Sequence, residues 1–423
     1  MSEAAMERRA GLLSSAEAAM KCRRSCNEAH TGSLKLIGGC NGVPAGAASA
    51  SRRRLRYRIQ SLASVLRESN SGVPVVSPDK AKTLLLVSRA LASISGDIAS
   101  KHGSPNPRKS ATEEDQVSSY KEHRAGWKST WGGPIGNTGG FHDITTLSPM
   151  HFTRRVPVNI PDYFYVTPAL QIYSFKIFRL NENLNWPLHV YGVVAARDDV
   201  DSNRNLLFCR SRANYQVLTE KDPFLRLTGP SRAIQAKAPV DFEVELKIKY
   251  GTESQDIAFF CSTNHHHMHH HTAWFPGSSC DGELSLQTIG RAVQATVLGV
   301  CVLEGGPPFE YGCRVACSLS SAELIEDLPS NQVVLLDCHG EQIPVESDGY
   351  LTLSRNVVTA ELQGTLKVVI QAYAESGAIA GQGDVDFPSQ HCQMSRGVCF
   401  VGNSKVEIVV AWSLLVEDKL DIL

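Results

Sequence analysis

The stretch VDFEVELKIKY, Val240 to Tyr250, alternates without a break: Val240, Phe242, Val244, Leu246, Ile248 and Tyr250 are apolar, and Asp241, Glu243, Glu245, Lys247 and Lys249 between them are charged. Successive side chains on a β-strand point to opposite faces, so a period of two sends one set into a core and leaves the other in water. An amphipathic helix would need apolar residues three and four apart, which this stretch does not offer. It reads as a strand with one buried and one wet face, the pattern of an antiparallel sheet.

The same period runs through VEIVVAWSLLV, where Val406, Ile408, Val410, Trp412, Leu414 and Val416 face one way, and through AVQATVLGVCVLE by way of Val293, Ala295, Val297, Cys301 and Leu303. Shorter runs such as LQIYSFKIF, LHVYGVVAAR, NLLFC, DIAFFC, YGCRVAC, QVVLLD and LKVVIQAY are separated by the turn sequences DDVDSN, EGGPP, CHGE and SDGY. About a dozen short strands with turn signals between them, and no helical crossovers, predict a mainly β chain: an antiparallel β-sandwich-like domain over residues 141–417, with a tail at 418–423.

Upstream of residue 141 the pattern changes. Residues 1–50 are rich in Ala, Ser and Gly with no sustained apolar period, which predicts disorder. In SRRRLRYRIQSLASVLRES, Leu55, Ile59, Leu62 and Leu66 form a helical stripe, and a second stripe of Leu84, Val87, Leu91, Ile94 and Ile98 follows the helix-start signal Ser77, Pro78, Asp79. Together they predict a basic amphipathic helical hairpin over 51–100. Residues 101–140, with SPNPRKSATEED and WGGPIGNTGG, show neither period and read as linker.

The chain has 423 residues and a formal net charge of −1, but the charge is segregated. Residues 1–130 hold 21 Lys and Arg against 11 Asp and Glu, and the remainder holds 21 against 32. A basic arm on an acidic body favours contact with nucleic acid or an acidic surface through the arm. The 12 cysteines are scattered and no apolar signal-like segment opens the sequence, so thiols reduced in the cytoplasm and/or nucleus are expected. No run approaches the roughly 20 apolar residues of a membrane span, and no membrane partner is expected.

Several stretches together, TTLSPMHFT (Thr145–Thr153), VYGVVAARDDVDSNRNLLFCRSR, DPFLRLTGPSRAI (Asp222–Ile234), VDFEVELKIK and KVEIVVAWSLL, resemble a plant domain-of-unknown-function family expanded in cereal grasses. The resemblance spans residues 141–417. In some proteins of that family the domain follows a ribosome-inactivating RNA N-glycosidase domain, which implies an association with stress or defence. The paired tyrosines and Glu-x-x-Arg helix of such a glycosidase have no matching set in residues 1–140, so the resemblance implies a fold and a setting and transfers no catalytic residue.

Three groups of residues invite a functional reading. His265, His266, His267, His269, His270 and His271 supply six of the chain's 14 histidines within seven positions, between DIAFFCS and the turn-rich TAWFPGSSCDGE. Neutral imidazoles on a loop chelate Ni, Cu or Zn. A homopolymeric tract, however, lacks the fixed ligand offsets and orienting partners of an ordered centre, so a low-complexity loop is the plainer expectation. Arg52, Arg53, Arg54, Arg56 and Arg58 make the basic face of the hairpin, which resembles a basic helix-loop-helix module but lacks the glutamate that family uses to read bases. That leaves nonspecific phosphate attraction or an import signal. Asp199, Asp201, Asn203 and Asn205 alternate as calcium ligands can, yet Arg204 stands where an EF-hand needs Gly and Arg210 where it needs Glu, and turn chemistry accounts for them.

No glycine loop ends in Gly-Lys-Ser/Thr, and no GxSxG, HExxH or assignable nucleophile and base is present. No cofactor is expected. The sequence favours a non-enzymatic interaction module binding an unknown protein or small ligand. Its alternatives are a nuclear, dimerising or nucleic-acid-associating protein acting through the arm, and a metal-assisted enzyme at the histidines.

Overall fold

A computed structural model describes residues 113–132, 139–154, 167–267, 270–305, 309–320, 332–339 and 349–416. The expected disordered arm at 1–50, the hairpin at 51–100 with its five arginines, His269 and the tail at 418–423 lie outside these described residues.

One helix, α1 (Glu113–Thr130), precedes the strands. The first ten strands are β1 (Ala169–Phe178), β2 (Leu188–Arg197), β3 (Asn205–Arg210), β4 (Gln216–Leu218), β5 (Phe224–Leu225), β6 (Ile234–Gln235), β7 (Val240–Ile248), β8 (Ile257–His266), β9 (Thr272–Phe275) and β10 (Asp281–Ile289). The remaining strands are β11 (Ala292–Glu304), β12 (Gly312–Ser320), β13 (Val333–His339), β14 (Val357–Glu361), β15 (Thr365–Tyr373), β16 (Ile379–Pro388), β17 (Met394–Val401) and β18 (Ser404–Ser413). All pairings between these strands are antiparallel, as the alternation predicts.

The strands form four sheets. Sheet I has the order β5-β1-β10-β9, with β6 also on β1; sheet II has β3-β2-β7-β8, with β4 also on β2. Sheets III and IV run β14-β11-β18-β17 and β13-β12-β15-β16. Alternation marks strands without saying which ones share a core, and here the sheets pair off. Sheets I and II close on a core that includes Ile172, Phe175, Val194, Phe208, Phe242 and Val244, while III and IV close on Val297, Val315, Val368, Ile408, Val410 and Trp412. The single stretch read from sequence is therefore two sandwiches in series, with only Gly290 and Arg291 between β10 and β11.

Their seam is part apolar and part polar. Ala169, Ala233, Ile289, Ala292 and Leu415 cluster there. Across it, Arg355 Nη2 donates to the Ile172 carbonyl at 2.6 Å, the Thr359 amide to Gln171 Oε1 at 2.7 Å, and the Thr359 hydroxyl to the Leu170 carbonyl at 3.1 Å.

Two features depart from the reading of the sequence. In β11 the register slips between Val297 and Gly299, so Val300 enters the core, and slips again between Val302 and Glu304, where Leu303, expected inside, is 47% exposed. A bulge of this kind swaps the faces of every residue beyond it, and glycine suits the place because a Cβ at Gly299 would lie 2.3 Å from the Tyr350 ring. The second departure is α1, which stands where the polar composition of 101–140 reads as linker. Among the described residues no helix is long and apolar enough to cross a membrane.

Because the two cores are separate, conservative trimming of each should act independently. Ile172→Val and Ile408→Val are expected to cost about 0.5–1.5 kcal/mol each, and the double variant should equal their sum within roughly 0.5 kcal/mol in urea unfolding.

Candidate functional site

The outward face of sheet II carries the most concentrated chemistry among the described residues. Cross-strand register puts Arg197 beside Asp241 and Asp241 beside His265, and the next rows hold Glu243 and Glu245. On an uncovered sheet these side chains would be wet. Instead α1 and residues 139–147 cover part of the row, so that Arg197 and Glu243 are each only 1% exposed while His265 stays exposed.

Tyr120 and Trp127 lie seven residues apart on α1, about two turns, and so share a face. Both are buried. The Trp127 indole donates to the Ser202 carbonyl at 2.9 Å, and the Tyr120 hydroxyl donates to Glu245 Oε2 at 3.1 Å. Phe141 fills the space beneath, edge-on to Tyr120, His123 and Trp127, with the Arg197 guanidinium 4.5 Å from its centroid and that of Arg204 at 5.3 Å.

Glu243 is the centre. Arg197 Nη2 donates to its Oε1 at 3.0 Å, Arg204 Nε donates to the same oxygen, and His123 Nε2 stands 3.5 Å from Oε2. Arg197 also donates to the Ser202 carbonyl at 3.0 Å, and Arg204 to Tyr120 Oη at 3.0 Å. Burial alone pushes the Glu243 carboxyl up, but Arg204 and Arg197 more than reverse this and hold it well below the usual carboxylate range. Burial, then the Glu243 charge, pushes the Tyr120 phenol up. The same causes, burial first and then Glu245 and Glu243, push the Cys261 thiol up to about 12.

A second closed network lies alongside. Arg232 binds Asp198 through two nitrogens at 2.6 and 2.8 Å and reaches Asp201 at 3.1 Å, while Thr145 donates to Asp201 Oδ2 at 2.5 Å. Asn205 spans Arg232 and Ser231, accepting from the Ser231 amide and donating to the Arg232 carbonyl. Two of the four residues of the calcium-like alternation, Asp201 and Asn205, are thus tied internally: Asp201 also accepts from the Asn203 amide at 3.1 Å, a local turn bond, and the Arg232 guanidinium stands against its carboxylate.

The histidine tract begins on a strand. His265 and His266 are the last two residues of β8, and His267, His270 and His271 continue toward β9. The expectation of a wholly looped tract is corrected at these two positions, because Asp241 and Val240 on β7 extend the pairing to them. His265 Nδ1 meets Asp241 Oδ1 at 2.5 Å. His266 is buried, edge-on to Phe242 at 5.9 Å, and its Nε2 has no hydrogen-bond partner among the described residues. Burial, aided by His270, His267 and His265, pulls its pKa down to about 4. Among the described residues no three His, Cys, Asp or Glu side chains are grouped to hold a metal ion.

Sequence reasoning missed Arg197, Arg204, Arg232, Tyr120 and Trp127. The signal available was two aromatic residues seven apart in an otherwise polar segment, together with acids on the outward face of a strand.

Removing the Glu243 carboxylate leaves buried Arg197 without its acid and Arg204 with only the 3.4 Å contact to half-buried Glu245, so Glu243→Ala should cost about 3–5 kcal/mol in urea unfolding. Since the folded carboxyl titrates below its unfolded value, its contribution is full above about pH 4.5 and declines as pH falls further. His266 works in another window. Its unfolded form takes the proton first, so stability should fall on the order of 2 kcal/mol between about pH 6.5 and 4, and His266→Phe should flatten that part of the profile.

A family model described as "Domain of unknown function (DUF6598)" matches residues 169–410, more than half of the chain. No curated protein matches it. Ten chains of known structure do. One, the tandem C2 domains (A and B) of Extended-Synaptotagmin 2, is 8% identical with a TM-score of 0.21, covering 62% of this chain and 95% of that one. Another, "Human GIVD cytosolic phospholipase A2", is 9% identical with a TM-score of 0.21, covering 60% and 31%. A TM-score this low carries no argument for fold or function.

Proposed function

The chain belongs to the family described as domain of unknown function (DUF6598), and from that premise we propose that it is a non-enzymatic interaction module whose partner is a protein. One observation carries the proposal. Among the described residues the buried carboxylates are Asp198, Asp201, Glu243 and Asp281, and each is bound by an arginine: Arg232 holds the first two, Arg197 and Arg204 the third, and Arg179 the last. Acids placed to move protons need an open path to substrate. These are sealed and neutralised, which suits a rigid frame.

For a partner to grip, the outer face of sheet III offers Phe400, 64% exposed, and Val398, 46% exposed, on β17. Ion pairs flank them, Arg396 with Glu407 at 3.5 Å and Lys405 with Glu304 at 2.8 Å. An apolar centre with a rim of mixed charge is the composition of a protein contact. On the resemblance drawn from its sequence, we place the protein in a plant stress or defence setting, in the cytoplasm and/or nucleus.

A second reading rests on the charge surplus of residues 1–130, whose carboxyl end is the helix docked on sheet II. In it, the basic arm binds nucleic acid.

One experiment separates them. The full chain, the Arg52/Arg53/Arg54/Arg56/Arg58→Ala variant and the Val398→Ser/Phe400→Ser variant are each used for affinity capture from plant extract and titrated with duplex DNA over a salt series. The interaction module predicts a captured protein that the alanine variant keeps and the serine variant loses, with no steep salt dependence on DNA. Arm-driven binding predicts the reverse: a log–log slope of roughly −0.9 per phosphate contacted, absent from the alanine variant.

A further inference from the structure

On antiparallel strands β12 and β13, Cys313 and Cys338 are directly opposite each other, and their sulfur atoms are 3.9 Å apart. We propose that this pair is an oxidation site, closing to a cross-strand disulfide that fastens the edge strand β13 to its sheet.

Directly opposed residues of an antiparallel ladder have Cα atoms about 4.5–5.5 Å apart, inside the roughly 4.4–6.8 Å that a disulfide spans. Closure therefore needs side-chain rotation and leaves the backbone where it is. Cys317 shares a face of β12 with Cys313 but is no partner for it. Four residues along a strand are about 13 Å, too far for a bond, and Cys317 stands opposite Val333. Register selects Cys338.

Position in the sheet supplies access. The order β13-β12-β15-β16 puts β13 at the end of its sheet, where among the described residues β12 is its one strand partner and the Ser354 and Arg355 amides add bonds to the Leu335 carbonyl, and elements at the end of a sheet open locally at less cost than its centre. Cys313 is wholly buried, and burial followed by the nearness of Cys338 pushes its thiol up, which makes it the poorer first nucleophile. Cys338 begins. With a small-molecule disulfide such as oxidised glutathione, the Cys338 thiolate attacks one glutathione sulfur, the glutathione S–S bond breaks, and one reduced glutathione leaves. Cys313, giving up its proton, then attacks Cys338 Sγ of the mixed disulfide and expels the second reduced glutathione. Two protein thiols are oxidised, one glutathione disulfide is reduced, and the two thiol protons leave on the two glutathiones.

The test uses the full chain equilibrated in glutathione buffers stepped from reducing to oxidising, quenched in acid, alkylated and mapped by mass spectrometry. A peptide pair joined through Cys313 and Cys338, short of two hydrogens, is expected to appear as the buffer becomes oxidising. Thermal unfolding of the oxidised protein should shift upward. Cys317→Ser should keep both results and Cys338→Ser should lose both. If Cys313 and Cys338 are alkylated at every buffer ratio, or if Cys313 is found joined to Cys317, the assignment is overturned. The wild-type map and the Cys317→Ser variant decide the matter even if Cys338→Ser fails to fold.

Discussion

A carboxylate in mid-strand on the outer face of a sheet must be wet or be answered by cations, and Glu243 is dry. That constraint organises the amino-terminal half of the described structure. Two guanidiniums have to arrive, and they come from the end of β2 as Arg197 and from just before β3 as Arg204. Further bonds run from Arg197 to the Ser202 and Phe141 carbonyls and from Arg204 to the Tyr120 hydroxyl. Their flat faces rest on Phe141, and Arg197 also on Trp127. Segment 139–147 and α1 are thereby fixed to sheet II by one set of contacts. Removing a single member strands charge in a place without water, which is why such clusters cost more to break than they contribute to make.

The second sandwich is held differently. Its core is apolar throughout, and the polar side chains that matter lie at the seam. Gln171, Arg355 and Thr359 exchange bonds there with backbone groups of the opposite sandwich. Arg355 is fully buried, and burial pulls its pKa down to about 10, so it still carries its charge at neutral pH. Its charge is met by a carbonyl dipole. Bonds from side chains to main chain tie one strand register to another, whereas apolar contact alone would tolerate sliding.

How much of this was legible in the sequence follows from the range of each interaction. Strand identity is local: the alternation from Val240 to Ile248 is strand β7, and the antiparallel arrangement follows from it. The partition into two cores depends on which strands neighbour one another, which no local pattern records. The slip at Gly299 has Tyr350, some fifty residues away, lying against it, and it brought Val300 into the core where the alternation expected Cys301. Helix α1 was unreadable because its stability comes from docking on charges that the same alternation assigned to water. Of the histidine tract, its position between strands was visible, but the extension of β8 into His265 and His266 rests on pairing with Asp241 and Val240.

The direct measurement is hydrogen exchange across α1. In the intact protein the amides of residues 113–130 should exchange slowly, and Glu243→Gln, which keeps the shape and removes the charge, should speed them markedly while β11 and β18 keep their protection. Fast exchange of α1 in the wild type, or equal protection in the variant, would contradict an ionic clamp at Glu243 as what holds this helix to the sheet.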